Sequence, residues 1–334
     1  MKAAAITAPG RVELVERQRP RAHRDLVVVK ILIAPMCTEF KDRRAANLSD
    51  TLGHEAAGIV VDAGTSTRVR EGDRVVVMPQ NGCGRCSLCT AGEHIHCPDQ
   101  RDVLTESGNG YGTATYAEYV LKPDWLLLPV PDDIPLHRAA LTVCGLGPGF
   151  TAHTRMNTGA PDTVLVSGCG PVGLGAIVHA TVRGARVLAL ETQEFRKELA
   201  VKLGAFEVLD PRALAPGELT GVDAAVETSG APGAASLAAR ALRPRGRLSV
   251  VAWGGEVVLP PLVPIGADVF GCWHWNHQRY ADHMWTTVRA AAEALDTVVT
   301  ARFPLDDVSA AMDLQDTGEC GKVFLLPHGP EGLR

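Results

Sequence analysis

The sequence predicts a chain in two parts, a β-rich unit followed by an α/β unit with a parallel sheet, and three observations carry that reading. At 334 residues the chain is too long for one ordinary core. Roughly the first 145 residues hold short β-rich runs broken by turn formers such as Gly72 and Pro123. From near residue 150 strand-like and helix-like segments alternate, the pattern of a parallel sheet covered on both faces.

The elements follow in order. LVVVKILI (26–33), AAGIVVDAG (56–64), DRVVVMP (73–79) and YAEYVLK (116–122) read as strands. TVLVSG (163–168) is a buried strand, and PVGLGAIVHATVRG (171–184) has helical spacing. RVLALE (186–191) is again a strand, and EFRKELAVKLGA (194–205) a helix ending at Gly204. VDAAVETSG (222–230), AASLAARALRPRG (234–246) and RLSVVAWG (247–254) repeat strand, helix and strand. Beyond about 273 the alternation lapses: one helix is expected within 280–296, then FPLDDVSAAMDLQ and the short run KVFLLP, a tail that could complete the first unit.

Composition narrows the function. A net charge of −5 supplies no basic face for nucleic acid and no polybasic membrane patch. The opening residues carry no apolar stretch of leader type before Arg11, and no run is fit to span a bilayer, so a cytoplasmic location is expected.

Within 163–191, Gly168, Gly170 and Gly173 form G-x-G-x-x-G, with Pro171 and Val172 between the last two. The triplet follows a strand and opens a helix, and Glu191 ends the next strand. A tight turn, close backbone approach and a helix N-terminus together suit a pyrophosphate, the Rossmann arrangement. A carboxylate at Glu191 suits the ribose hydroxyls of NAD and repels the 2′-phosphate of NADP. Arg196 could instead serve a phosphate or lie over the adenine.

NGCGRCSLCTAGEHIHC (81–97) places Cys83, Cys86, Cys89 and Cys97 at spacings that wrap four thiolates around one ion. Four sulfurs close a tetrahedral zinc site, which is structural and worth on the order of 10 kcal/mol of folding energy. A redox pair and an iron–sulfur cluster are the alternatives. His94 and His96, inside the wrap, read as solvated loop residues.

Cys37, His54 and Cys144 also stand out, but spacing alone does not join them, and a lone cysteine or histidine is an ordinary core residue. GHE at 53–55, GDRV at 72–75, the four-cysteine loop and the glycine turn together resemble the zinc-containing medium-chain dehydrogenase/reductase family, which includes alcohol, polyol and threonine dehydrogenases. The resemblance runs from MKAAAI to CGKVFLLP. It implies a GroES-like β-rich catalytic domain at 1–148, a Rossmann NAD-binding domain at 149–273, and a 274–334 segment completing the first. It places Cys37, His54 and Cys144 on the catalytic zinc ligands and Glu55 on the acidic neighbour of the metal. Two zinc ions per chain, NAD, a small alcohol or ketone substrate and a homo-oligomer are implied with it.

Such a site leaves zinc one open position, where an alcohol becomes a zinc-bound alkoxide and gives hydride to NAD. Lowering its pKa by about nine units, as for bound water, is worth roughly 12 kcal/mol. The expected reaction is oxidation of a secondary alcohol such as a polyol, sugar or cyclitol.

The sequence departs from the family at Cys37-Thr38-Glu39-Phe40, where the family commonly reads Cys-Gly-Ser/Thr-Asp. A carboxylate, Glu39, occupies the relay position, and Asp42 replaces an outer histidine. Glu39 takes the proton itself, or the relay is lost and the enzyme reduces an iminium or activated alkene, or Glu39 faces solvent with Thr38 turned inward. Pro148 replaces a hydroxyl residue near the nicotinamide. Trp253, Trp273, Trp275 and Trp285, with His274, Asn276 and His277, either wall a wide substrate pocket or pack a domain interface. Arg43 and Arg44 read as solvated. A non-catalytic NAD-binding sensor with structural zinc alone is the reading from another class.

Overall fold

The computed structural model describes residues 1–108, 114–215, 217–253 and 257–330. Leu26–Pro35, buried along its length except at Lys30 and Leu32, is the spine of the first sheet. It pairs antiparallel with Ala56–Asp62 and with Tyr119–Pro123, and Arg74–Val77 and Leu127–Pro129 extend the sheet. From the far end of the chain Lys322–Leu326 joins antiparallel at Ala34 and Pro35, and Val299–Pro304 lies parallel to it. Cys37 leaves the sheet just past this junction, so both ends of the chain fix where it stands.

The second sheet is parallel, and its strands begin at Thr163, Arg186, Glu207, Val222, Leu242 and Asp268 in chain order. In space the order is third, second, first, fourth, fifth, sixth. Strand order therefore reverses between Thr163–Ser167 and Val222–Glu227, which opens the crevice where such folds bind ligands. The helix Pro171–Val182 rises from this point, its packed face reading Gly173, Leu174, Ala176, Ile177 and Ala180.

Two segments differ from expectation. The helix expected through 234–246 ends at Ala241, and Leu242–Val250 is a strand. Pro244 has no N–H for a helix and biases Arg243 towards extended backbone. The single helix expected within 280–296 is two, His277–Ala290 and Ala292–Val298. Both pack on the helix Pro171–Val182 and so cover the parallel sheet, and Ala292–Val298 also touches the first sheet at Val299–Pro304. Of the tail, the strands and the helix Val308–Thr317 serve the first sheet.

The four tryptophans part company. Trp275 and Trp285 are buried in the core shared with the Rossmann helices, Trp275 donating its indole N–H to Thr142 O at 2.7 Å. Trp253, 80% exposed, stands edge-on to Trp273. A four-tryptophan pocket wall is therefore not formed, because two of the rings are spent on packing. Gly254 and Gly255 lie outside the described residues. No helix among the described residues is long and apolar enough to cross a membrane.

Candidate metal centre and dinucleotide cleft

The cysteine loop folds back on itself through its own backbone. Amide N–H groups of Cys83, Cys86 and Cys89 donate to the sulfurs of Cys97, Cys83 and Cys86 at 3.3, 3.4 and 3.5 Å. Cys83 and Cys89 sulfurs stand 4.0 Å apart, and those of Cys86 and Cys97 3.7 Å. Four thiolates about 2.3 Å from one ion lie about 3.8 Å from each other, so the donor set fits tetrahedral zinc. Backbone N–H groups of Arg85 and Cys86 lower the Cys83 thiol to about 6, while burial pushes Cys89 up to about 12. His94 is buried, against the solvated reading, because its ring is packed at 5.4 Å from that of His277. His96 is exposed and stands edge-on to Trp273.

A second convergence gathers Cys37, His54, Glu55 and Cys144, whose donor atoms all lie within 4.8 Å of one another. His54 Nε2 is 3.2 Å from Cys144 Sγ, and His54 Nδ1 is 2.7 Å from Glu39 Oε1. Glu39 Oε2 accepts from the Tyr116 hydroxyl at 2.7 Å and from the Cys37 amide at 3.3 Å. With Nδ1–H donated to Glu39, the Nε2 lone pair faces the thiols, the arrangement a carboxylate imposes on a metal-binding histidine. Burial opposes charge on Glu39, yet His54 and Tyr116 hold its pKa down at about 2.

Glu55 and Lys322 form a pair at 2.6 Å with no exposure at either side chain. Glu55 Oε2 also accepts the Cys144 amide at 3.1 Å, so this ion pair holds the loop that carries Cys144. Burial raises Glu55 to about 7 despite Lys322. The hydrogen bond from Cys144 lowers Cys37 well below an ordinary thiol, and Cys144, as the donor, is raised. Burial opposes charge on His54 as well, but Glu39 and Cys37 raise its pKa. These groups thus favour positive charge in their midst, which a zinc ion held by two thiolates and a neutral imidazole would supply.

The site opens onto a cleft of about 610 Å³ that runs from Cys37 and Thr38 to the glycine turn, Glu191 and Arg196. Thr38 is exposed and lines this cleft, whereas Glu39 is 8% exposed and does not. The solvent-facing Glu39 is therefore overturned, since both its oxygens are engaged inward. Arg43 is likewise buried, paired with Asp313 and Asp316, and Arg44 pairs with Asp316.

At the other end of the cleft Gly168 has φ +88°, and a Cβ on Gly173 would meet Gly168 O at 1.9 Å. A Cβ on Gly170 would meet nothing within 4 Å, because that side faces the cleft. No side chain caps the helix that begins Gly170-Pro171-Val172, so its first N–H groups are free for an anion. Glu191 accepts from the amides of Cys169, Thr192 and Gln193 at 2.8, 2.6 and 2.9 Å, which fixes its carboxylate beside the turn. Arg196 donates to Cys320 O at 3.3 Å from the cleft wall.

Sequence reasoning missed Tyr116 and Lys322, which act on Glu39 and Glu55 from 77 and 267 residues away. Lys322 had one signal available, a charge at the head of an otherwise apolar strand, KVFLL. Asp42 takes part in no metal-site contact and accepts from Asn47 instead.

Residues 23–132 match the family described as alcohol dehydrogenase GroES-like domain, and residues 171–290 match zinc-binding dehydrogenase. Sorbitol dehydrogenase of Bacillus subtilis is 30% identical, with 98% of each chain covered. L-threonine 3-dehydrogenase of Symbiobacterium thermophilum is 32% identical over 83% of this chain and 81% of its own. The solved structure of an alcohol dehydrogenase from Thermus sp. ATN1 superposes with a TM-score of 0.86 at 25% identity, covering 98% of this chain and 99% of that one.

Proposed function

This chain belongs to the zinc-containing medium-chain dehydrogenase/reductase family, and we propose that it oxidises a secondary alcohol of polyol, sugar or cyclitol type with NAD. The alcohol carbon gives hydride to the nicotinamide and its oxygen gives a proton to solvent, leaving a ketone and NADH. The single observation that carries this reading is the convergence of His54 and Cys144 on Cys37, which lines one end of a cleft whose other end is the glycine turn. The catalytic unit is drawn from 1–148 and the closing strands of 274–334, and 149–273 supplies the nucleotide unit.

Cys37, His54 and Cys144 would hold the catalytic zinc, and Cys83, Cys86, Cys89 and Cys97 the structural one. The catalytic ion, when bound, supplies Lewis-acid polarisation of the substrate oxygen. The chain's own residues do the rest. Glu39 holds His54 in the tautomer that presents Nε2, a different task from the relay the sequence suggests. Thr38, exposed beside Cys37 on the cleft wall, would pass the proton outward through its hydroxyl. Glu55 and Lys322 keep Cys144 in place.

Gly168, Gly170 and Gly173 admit the pyrophosphate to the helix N-terminus with Pro171 and Val172, and Arg196 flanks the site. Glu191 favours NAD through its fixed negative charge. A second cavity of about 370 Å³ beside His274, lined by Glu93, His96, Arg155 and Asn276 together with Phe150, Trp273 and Tyr280, is separate from the cleft and offers both polar and apolar groups to a substrate that reaches it. The test is absorbance at 340 nm with NAD and a panel of polyols, sugars, cyclitols and simple secondary alcohols. Reduction with a cyclic or linear polyol supports the reading. Silence across the panel, from protein that holds two zinc ions and binds NAD, overturns it.

A further inference from the structure

His274 stands outside the donor set and yet meets it. The residue is 4% exposed, and its Nε2 lies 3.4 Å from Cys144 Sγ. Its Nδ1 has no hydrogen-bond partner among the described residues. A neutral imidazole carries one proton and must place it on one of these nitrogens. On Nδ1 it would be a buried donor with nothing to receive it, which costs the desolvation of that N–H with no return. On Nε2 it points at the sulfur. A cysteine that binds a metal does so as a thiolate, which offers lone pairs and no proton.

We propose that His274 is a positioning residue that donates Nε2–H to the Cys144 thiolate and draws charge from that sulfur. This rests on the reading of Cys37, His54 and Cys144 as metal ligands. The fold holds both partners for the contact. The neighbouring Trp275 indole donates to Thr142 O at 2.7 Å, which pins the 274–275 segment to the loop that carries Cys144. Glu55 in turn accepts the Cys144 amide at 3.1 Å. A thiolate that shares its charge with an N–H donates less to the metal, which is left more electrophilic towards the substrate oxygen.

The experiment uses cobalt(II) in place of zinc and reads the sulfur-to-cobalt charge-transfer band. A hydrogen bond stabilises the sulfur lone pairs, so His274→Phe is expected to move the band of the Cys37/Cys144 site to longer wavelength. The four-cysteine site contributes equally to both proteins and cancels in the difference spectrum. His274→Gln, which restores an N–H at the same reach, is expected to move the band back. Turnover of zinc-loaded His274→Phe is expected to fall about tenfold or more.

A band unmoved in His274→Phe, with two cobalt ions per chain, overturns the proposal. Should that variant fail to fold, histidine-selective ¹⁵N spectra of the zinc-loaded natural protein decide the matter: a proton on Nε2 supports it, and a proton on Nδ1 overturns it. One metal ion per natural chain instead removes the ligand assignment, and the proposal with it.

Discussion

Glu39 Oε1 lies 2.7 Å from His54 Nδ1, across fifteen residues of chain, with the other oxygen of the same carboxylate held by Tyr116. A residue at the position expected to move a proton is instead tied to the imidazole that faces the thiols. The carboxylate sets the tautomer and raises the basicity of the nitrogen that would bind zinc.

Glu39→Ala is therefore expected to weaken zinc at the Cys37/His54/Cys144 site by about 10- to 100-fold, as loss of an outer partner does elsewhere. Glu39→Gln, which keeps an acceptor, is expected to lose less. Chelator competition followed by metal analysis reads the difference. Equal zinc retention in all three proteins would leave Glu39 without this task.

Lys322 and Glu55 are fully buried, so removing one partner strands a charge. Lys322→Met is expected to cost about 3–5 kcal/mol, and adding Glu55→Gln to return part of it. Urea unfolding of the single and double variants measures both. A double variant no more stable than Lys322→Met would show that the pair is not the source of the loss.

Two neighbouring glycines separate packing from ligand binding. Gly173→Ala drives a Cβ into Gly168 O and is expected to lower stability by about 1–3 kcal/mol along with NAD binding. Gly170→Ala meets no protein atom within 4 Å, so it is expected to leave the melting temperature unchanged while weakening NAD at least about tenfold. Titration of NAD into each variant, beside its thermal melt, checks the contrast.

His153 is buried, with Nε2 on Ala176 O at 3.0 Å and Nδ1 on the Thr158 hydroxyl at 2.9 Å. Burial lowers its pKa to about 4, so between pH 4 and about 6.5 the unfolded chain binds a proton that the folded chain does not. Stability therefore falls as pH falls through this window, by at most about 3 kcal/mol from this residue. His153→Gln is expected to flatten that slope in urea unfolding from pH 7 to pH 4. His179, also buried and shifted down, leaves a residual slope.

What was legible in the sequence was what short stretches of chain decide. The four cysteines of 83–97 close a loop whose own amides hold its sulfurs, and Gly168, Gly170 and Gly173 make a turn within six residues. Strand and helix alternation reads the parallel sheet for the same reason, since each side chain's face follows from its neighbours. The extra strand over 242–246 and the break at Ala291 are finer than periodicity resolves.

The other site is assembled where the first sheet, carrying residues 37, 54 and 322 at or beside its strands, meets the loop that carries residue 144. No local pattern joins positions 90 or 267 residues apart, so a family resemblance was needed to propose the ligands, and Lys322 was missed. Direction of a side chain was equally beyond sequence: Glu39 turned inward and Thr38 outward, and Trp275 went to the core while Trp253 stayed exposed. The sequence by itself determined which chemistries were present, because residue type and short spacing set metal and phosphate affinity. Tertiary structure alone decided which distant side chains meet and which way each one turns, because hydrogen bonds and burial between distant segments exist only once the sheets have formed.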